Sequence, residues 1–278
     1  MELGIFSKGY KNYELTEAFT RIKQSGLSFV QFNFANVGLA SLPEVIPEET
    51  IQQIKTAADD TGISIAAISG TFNTLELEEA THQQNLHNFQ QVVQAAAKLG
   101  VPFVSISTGS FNQEDFWSPH PDNHTEKAWS RLYRSLDEMI AIAAEHQVVI
   151  VVEPEQANVV STVEDTLRLM AHYQQSPYLK VLFDAANIVT TEDADQLEKK
   201  ILTALDKLKD YVAVAHCKDA QVTKEKIEFK AVGKGNLPLK SYLERLRESY
   251  QGPVIMHGLE EDEVEFALNY LEQVQGEL

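Results

Sequence analysis

Short apolar runs alternate with longer stretches of three- and four-residue periodicity along the whole chain. The runs LGIFS, SFVQFNF, SIAAIS, FVSIST, VVIVVEP, KVLFDAA, YVAVAHCK and PVIMHG are rich in β-branched and aromatic residues and short enough to be strands. Between them, EETIQQIKTAADDTG, NLHNFQQVVQAAAKLG and EKAWSRLYRSLDEMIAIAAEH repeat apolar residues at helical spacing, and the first two stop at glycine. Strands that alternate with helices are parallel and joined by crossovers. About eight such units in about 250 residues predict a (β/α)8 barrel of α/β class. An open doubly wound sheet is the rival, but no glycine-rich nucleotide loop follows the first run. No linker or change of composition divides the 278 residues, so residues 1–278 are expected to form one domain.

In such a barrel the chemistry sits where strands end, and the strand ends here carry the unusual residues. VVIVVEPEQ runs from a fully apolar segment straight into Glu153 and Glu155. A buried carboxylate is costly unless a partner or a metal neutralises it. Asp184 follows LF, His216 follows AVA and His257 follows VIM. Glu153 and Asp184 are 31 positions apart and Asp184 and His216 are 32 apart, close to the barrel repeat of about 31. The gap to His257 is 41, because Ala220 to Pro238 inserts a loop. Alternation along a strand puts Val151, Glu153 and Glu155 on one face, and pairs His216 with Lys218 and Ile255 with His257. Two carboxylates and two imidazoles converging on the barrel mouth make a site for one divalent ion. Mixed oxygen and nitrogen ligands suit Mn, Co, Zn, Fe or Mg rather than Ca. Read singly, each residue has a plainer role: Asp184 a helix cap, His216 a hydrogen-bonded core histidine, Lys218 and Asp219 a local ion pair.

Charge and composition narrow the partners. Lys and Arg total 23 against 41 Asp and Glu, a formal charge of −18 that repels a phosphate backbone, so no nucleic-acid partner is expected. One cysteine, Cys217, fits a reducing compartment. MELGIFSKGY has no basic region leading into an apolar core, and no run approaches the roughly 20 apolar residues of a membrane span. A soluble cytoplasmic protein without a membrane partner is the expectation.

EPEQANVV after the fifth strand, FDAAN after the sixth, HCKD after the seventh and AVGKGNLPLKSYL beyond it resemble the xylose isomerase-like barrels, in particular their sugar-phosphate isomerase and epimerase group. The resemblance covers nearly the whole chain. It implies a divalent metal held by a Glu, an Asp, a His and a further Glu from the last four strands, with Glu153, Asp184 and His216 as the first three. Two departures stand out. His257 occupies the place where the ketose epimerases present a second proton-shuttling Glu, and Asn187 replaces the histidine of their Asp-x-x-His pattern. The resemblance further implies a small carbohydrate substrate and a homodimer.

These readings combine into metal-assisted isomerisation or epimerisation of a small hydroxy-carbonyl compound through an enediolate. The metal polarises the carbonyl, and Glu153 or Glu155 removes the adjacent proton, Glu155 being preferred where Glu153 is spent on the metal. Lys218 offers positive charge to an oxyanion. His257 is the fourth ligand or a general acid. Asn187, Asn33 and Trp117 are candidate substrate contacts. Gly233 to Gly235, the GKG segment, lacks the spacing of a phosphate loop and is read as a tight turn. Pro119, His120, Pro121 and His124 read as a rigid polar lid. A metal-dependent hydrolase or lyase, an abasic-site endonuclease and a non-catalytic metal-binding barrel are the alternatives.

Overall fold

Eight short strands pair in parallel into a closed ring, and a helix follows each. The computed structural model describes residues 1–276. In chain order the elements are β1 (Leu3–Phe6), α1 (Leu15–Gln24), β2 (Phe29–Phe32), α2 (Glu48–Thr61), β3 (Ser64–Ser69), α3 (Glu79–Leu99), β4 (Phe103–Ile106), α4 (Glu126–His146), β5 (Val149–Val152), α5 (Val163–His172), β6 (Leu179–Asp184), α6 (Leu197–Leu208) and β7 (Val212–Cys217). A hairpin of β8 (Asp219–Val222) and β9 (Ile227–Lys230) follows, then α7 (Leu239–Arg247), β10 (Val254–Met256) and α8 (Val264–Gly276). The ring runs β1-β10-β7-β6-β5-β4-β3-β2, a single-domain (β/α)8 barrel. Among the described residues no helix is long and apolar enough to cross a membrane.

Local chemistry accounts for the boundaries. Helices α2 and α3 stop at Gly62 and Gly100, both in the left-handed region at φ 67° and 70°, where glycine has no side-chain penalty. Helix α4 stops without glycine, and Gln147 takes the same conformation at φ 56°. Helix α5 starts on a capping box in which Thr162 and Asp165 satisfy each other's backbone amides.

The main core lies between the strands and the surrounding helices, whose apolar stripes supply Phe19, Phe89, Leu132, Leu205 and Tyr242 among others. A smaller cluster of Ala67, Val151, Leu182 and Val214 fills the inside of the ring. Gly4 is required there: a Cβ would lie 2.6 Å from Ile255 Cδ1 and 2.7 Å from the Phe29 carbonyl oxygen. This inner plug is the floor on which the site is built.

The segment after β7 differs from the expected loop. Ala220 and Val222 pair with Phe229 and Ile227, so Asp219 to Lys230 is an antiparallel hairpin that rises over the barrel mouth. Its base is tied by Asp219, whose carboxylate accepts from the amides of Ala220, Gly233, Gly235 and Leu237 at 2.8 to 3.3 Å. The glycines of GKG serve that clamp. A Cβ at Gly235 would collide with Asp219 Oδ1 and the Ala220 carbonyl, and Gly233 sits at φ 87° against the Tyr270 ring.

Candidate metal centre

Side chains alternate across a strand, so the residues two positions beyond Val151, Leu182 and Val214 also face the barrel axis. They are Glu153, Asp184 and His216. Asp184 and His216 are direct partners in the β6–β7 register, as their 32-residue spacing anticipates. Ile255 pairs with His216 in β10–β7, so His257 stands one pleat higher, the climb that tilted barrel strands impose. All four converge nonetheless. One ligand atom from each of Glu153, Asp184, His216 and His257 lies within 4.8 Å of the others.

The surroundings aim these atoms at a common point. Gln31 Nε2 donates to Ser105 Oγ at 3.2 Å, which turns its Oε1 toward His216 Nε2 at 2.8 Å. His216 therefore donates through Nε2 and points Nδ1 into the cluster, 3.4 Å from Glu153 Oε1 and 3.5 Å from Asp184 Oδ2. Those separations are long for hydrogen bonds, so the attraction is ionic. Asp184 Oδ1 accepts from the Ala186 amide at 2.9 Å. Glu153 Oε1 accepts from Asn187 Nδ2 at 2.8 Å, and Asn187 Oδ1 takes a bond from Lys218 Nζ at 3.2 Å. The His257 ring packs edge-on to Phe6 and His216, with centroids 5.1 and 4.8 Å away.

Within this cluster three buried atoms are left without a hydrogen-bond partner: Asp184 Oδ2, His216 Nδ1 and His257 Nδ1. Each such atom costs about 1–3 kcal/mol, and three in one cluster need a common remedy. A divalent cation bound by these groups supplies it, and the two carboxylates with two imidazoles suit Mn, Co, Zn or Fe. The residues present thus fit a single metal ion.

The electrostatics of these side chains point the same way. Burial pushes the Glu153 carboxyl up, but the charge of His216 outweighs this and leaves it below the usual range. Burial acts likewise on Asp184, and His216 with Lys218 brings it well below an ordinary aspartate. Burial alone would lower His216, yet Glu153 and Asp184 raise it to about 9. His257 falls to about 4 through burial and the neighbouring His216 charge. A protonated His216 thus holds the two carboxylates together in place of a cation.

A cavity of about 590 Å³ opens above this cluster. Glu153, Glu155, Asn187, Lys218, Asn33 and Trp117 all line it, so the residues singled out in the sequence share one space. Their roles differ in detail from the simplest expectations. Burial and the Glu153 charge raise the Glu155 carboxyl to about 7. Lys218 forms no ion pair with Asp219; its ammonium lies 3.7 Å over the Phe229 ring and bonds Asn187. Asn187 has its amide engaged by Glu153 and Lys218. Asn33 caps the turn at Phe34–Val37, its Oδ1 accepting from the Ala35 amide and Ser41 Oγ. Trp117 stands 52% exposed at the rim. Pro121–His124 is a 3-10 turn that leads into α4, with His120 Nδ1 accepting from the Asp122 amide. Gln31, which orients His216, carries no motif that marks it in the sequence. Its sequence signal is a polar residue flanked by apolar ones in the SFVQFNF run, on the same face as Asn33.

A sequence model of the family described as xylose isomerase-like TIM barrel matches residues 19–274. No curated protein sequence matches the chain. Among solved structures, 3-keto-D-glucoside 4-epimerase of E. coli superposes with TM-score 0.76 at 18% identity, over 98% of this chain and 99% of that one. D-psicose 3-epimerase, crystallised in the presence of D-fructose, gives 0.75 at 15% identity, covering 99% and 100%. IOLI protein, with a zinc atom bound, gives 0.71 at 16% identity, covering 99% and 98%. At these identities the likeness establishes the fold.

Proposed function

The chain belongs to the xylose isomerase-like TIM barrel family, and on that premise we propose that it is a divalent-metal-dependent isomerase or epimerase of a small sugar or sugar-like hydroxy-carbonyl compound. The observation that carries this reading is the convergence of Glu153, Asp184, His216 and His257, three of them with unpartnered buried atoms, beneath a cavity lined by both polar and aromatic side chains. The structural neighbours that act on sugars, and the one solved with zinc, support it.

In this reading the four side chains hold the ion, which when bound supplies Lewis acidity to a carbonyl oxygen. Glu155 removes the proton on the adjacent carbon. Its carboxyl, raised to about 7, is part ionised at neutral pH and basic enough to accept a carbon-bound proton. Glu153 is the poorer base because Asn187 ties its Oε1 and the cluster claims the group. The Lys218 ammonium balances the negative charge of the enediolate, and Asn187 and Phe229 hold it in place. Glu155 then returns the proton. Delivery by one carboxylate to the neighbouring carbon, on the same face, interconverts aldose and ketose. Inversion at a single carbon needs a second acid-base group on the opposite face; His257, lowered to about 4, is neutral at pH 7 and serves there only as a base, and only if it is not a ligand.

The test combines elemental analysis with heavy-water exchange over a panel of keto- and aldo-sugars. The reading expects about one ion per chain and washing-in of deuterium next to the carbonyl, with loss of exchange in Glu155→Gln. A metal-loaded protein that exchanges deuterium into none of the panel overturns it.

A further inference from the structure

The cavity above the metal cluster does not end at Glu155. A second cavity of about 320 Å³ adjoins it, and Glu155 and Phe229 line both. The outer compartment is otherwise walled by Pro119, Gln156, Ala157 and Ile227. We propose that this compartment is a subsite for a second sugar ring, so that the substrate is a glycosylated hydroxy-carbonyl sugar rather than a sugar phosphate. The proposal rests on the isomerase or epimerase reading of the inner compartment and extends it to the rest of the molecule bound.

Charge disfavours a phosphate in the outer compartment. The outer compartment has no Lys, Arg or His in its lining, and its one ionisable group is the Glu155 carboxyl. A phosphate dianion placed there would meet the Glu155 carboxyl, and the nearest cation, the Lys218 ammonium over the Phe229 ring, is bonded to Asn187 in the inner compartment. The two lysines of the site, Lys8 and Lys218, both line the inner compartment.

The walls suit a sugar ring instead. A pyranose presents C–H faces that gain by leaving water against apolar or aromatic surface. Ile227 and Phe229 are two apart on β9 and so face the same way. Phe229 is 54% exposed and Trp117 52%, an arrangement that leaves large apolar surface in water unless a ligand covers it. Trp117 lies against Phe116, ring centroids 4.8 Å apart, and both line the inner compartment just before Pro119 lines the outer one. The 116–119 segment and the hairpin thus supply wall residues to both compartments.

Both walls are held in place, which lowers the ordering cost of binding. Asp219 clamps the hairpin base through four backbone amides, and Asn236 exchanges two hydrogen bonds with Val222 at 2.8 and 2.9 Å. Across the cleft, Asp115 accepts from the Trp117 amide at 3.1 Å and from Ser118 Oγ at 2.6 Å, while the Ser118 carbonyl takes a bond from Ser110 Oγ at 2.9 Å.

The experiment uses three ketohexose probes that differ only at the sixth carbon: D-fructose, D-fructose 6-phosphate and 6-O-glucosyl-D-fructose. Binding to the manganese-loaded full-length protein is measured by calorimetry, and deuterium exchange is followed in parallel. The proposal expects the glucosylated probe to bind about tenfold more tightly than either of the others. Ile227→Asp should bring the three to within about twofold, with Ile227→Ala intermediate and circular dichroism confirming the fold of each. Equal binding of all three, tighter binding of the phosphate, no binding at all, or a glucosyl preference that survives both variants overturns the subsite. Tight glucosyl binding without deuterium exchange supports the subsite and counts against the isomerase or epimerase reading. Exchange without glucosyl preference does the reverse.

Discussion

Metal binding to this protein should expel a proton, and His216 sets how many. In the metal-free site the imidazole Nδ1 lies 3.4 and 3.5 Å from two carboxylate oxygens, and their charge raises the group to about 9. At pH 7 such a group is about 99% protonated, whereas an unperturbed histidine near 6.5 is only about one quarter protonated. A metal needs that nitrogen bare, so binding at pH 7 should release close to one proton from His216, falling to about half a proton at pH 9. His257, at about 4, is already neutral and contributes none. Glu155, near 7, adds up to about half a proton, which Glu155→Gln removes from the count. Calorimetric titration of Mn²⁺ or Zn²⁺ into Glu155→Gln, in buffers of differing ionisation enthalpy, reads the number directly. The same raised value has a second consequence of opposite sign. A folded-state value above the unfolded one stabilises fully below pH 6.5 and is lost as pH rises through about 9. The metal-free protein should therefore lose on the order of 3 kcal/mol between pH 6.5 and 10, counted once because the lowered carboxylates express the same attraction. Metal affinity should rise over that interval. Release of about 0.2 proton or fewer at pH 7, with both trends flat, would refute the imidazolium-bridged picture.

Other residues make separable demands. Gln31→Leu removes the acceptor that fixes the His216 ring and should weaken metal binding about 10- to 100-fold with the fold intact, as read by chelator competition. Asp219→Ala leaves four backbone amides at the hairpin base and in the turn after it unsatisfied and should cost about 3 kcal/mol or more in chemical denaturation; a loss below about 1 kcal/mol would show that the clamp is solvated. His257→Ala should lower metal content if His257 is a ligand, whereas full metal content with lost deuterium exchange would make it a proton carrier.

The barrel was legible because its strands must be apolar on both faces while its helices are striped, and the two periods do not mimic one another. The convergence of the four candidate ligands was legible for a related reason. Each of Glu153, Asp184, His216 and His257 interrupts an apolar run at the place where a strand leaves the ring, and three keep the spacing of one barrel unit. What stayed hidden depends on contacts that no local pattern records. Gln31 meets His216 across 185 residues of chain. Asn187, which lines the cavity, also bridges Glu153 and Lys218, links that no local pattern signals. The hairpin carried an alternating pattern in Ala220, Val222, Ile227 and Phe229, yet so many charged residues stand between them that the segment read as a loop. Asp219 beside Lys218 suggested an ion pair, and the turn of the chain instead gives Asp219 to the backbone and Lys218 to Phe229.

Metal stoichiometry tests the central claim most directly. After dialysis against Mn²⁺ or Zn²⁺ and removal of loosely held ions, elemental analysis should find one ion per chain in the natural protein and almost none in Asp184→Asn combined with Glu153→Gln. Metal absent from the natural protein, or retained equally by the double variant, would contradict it.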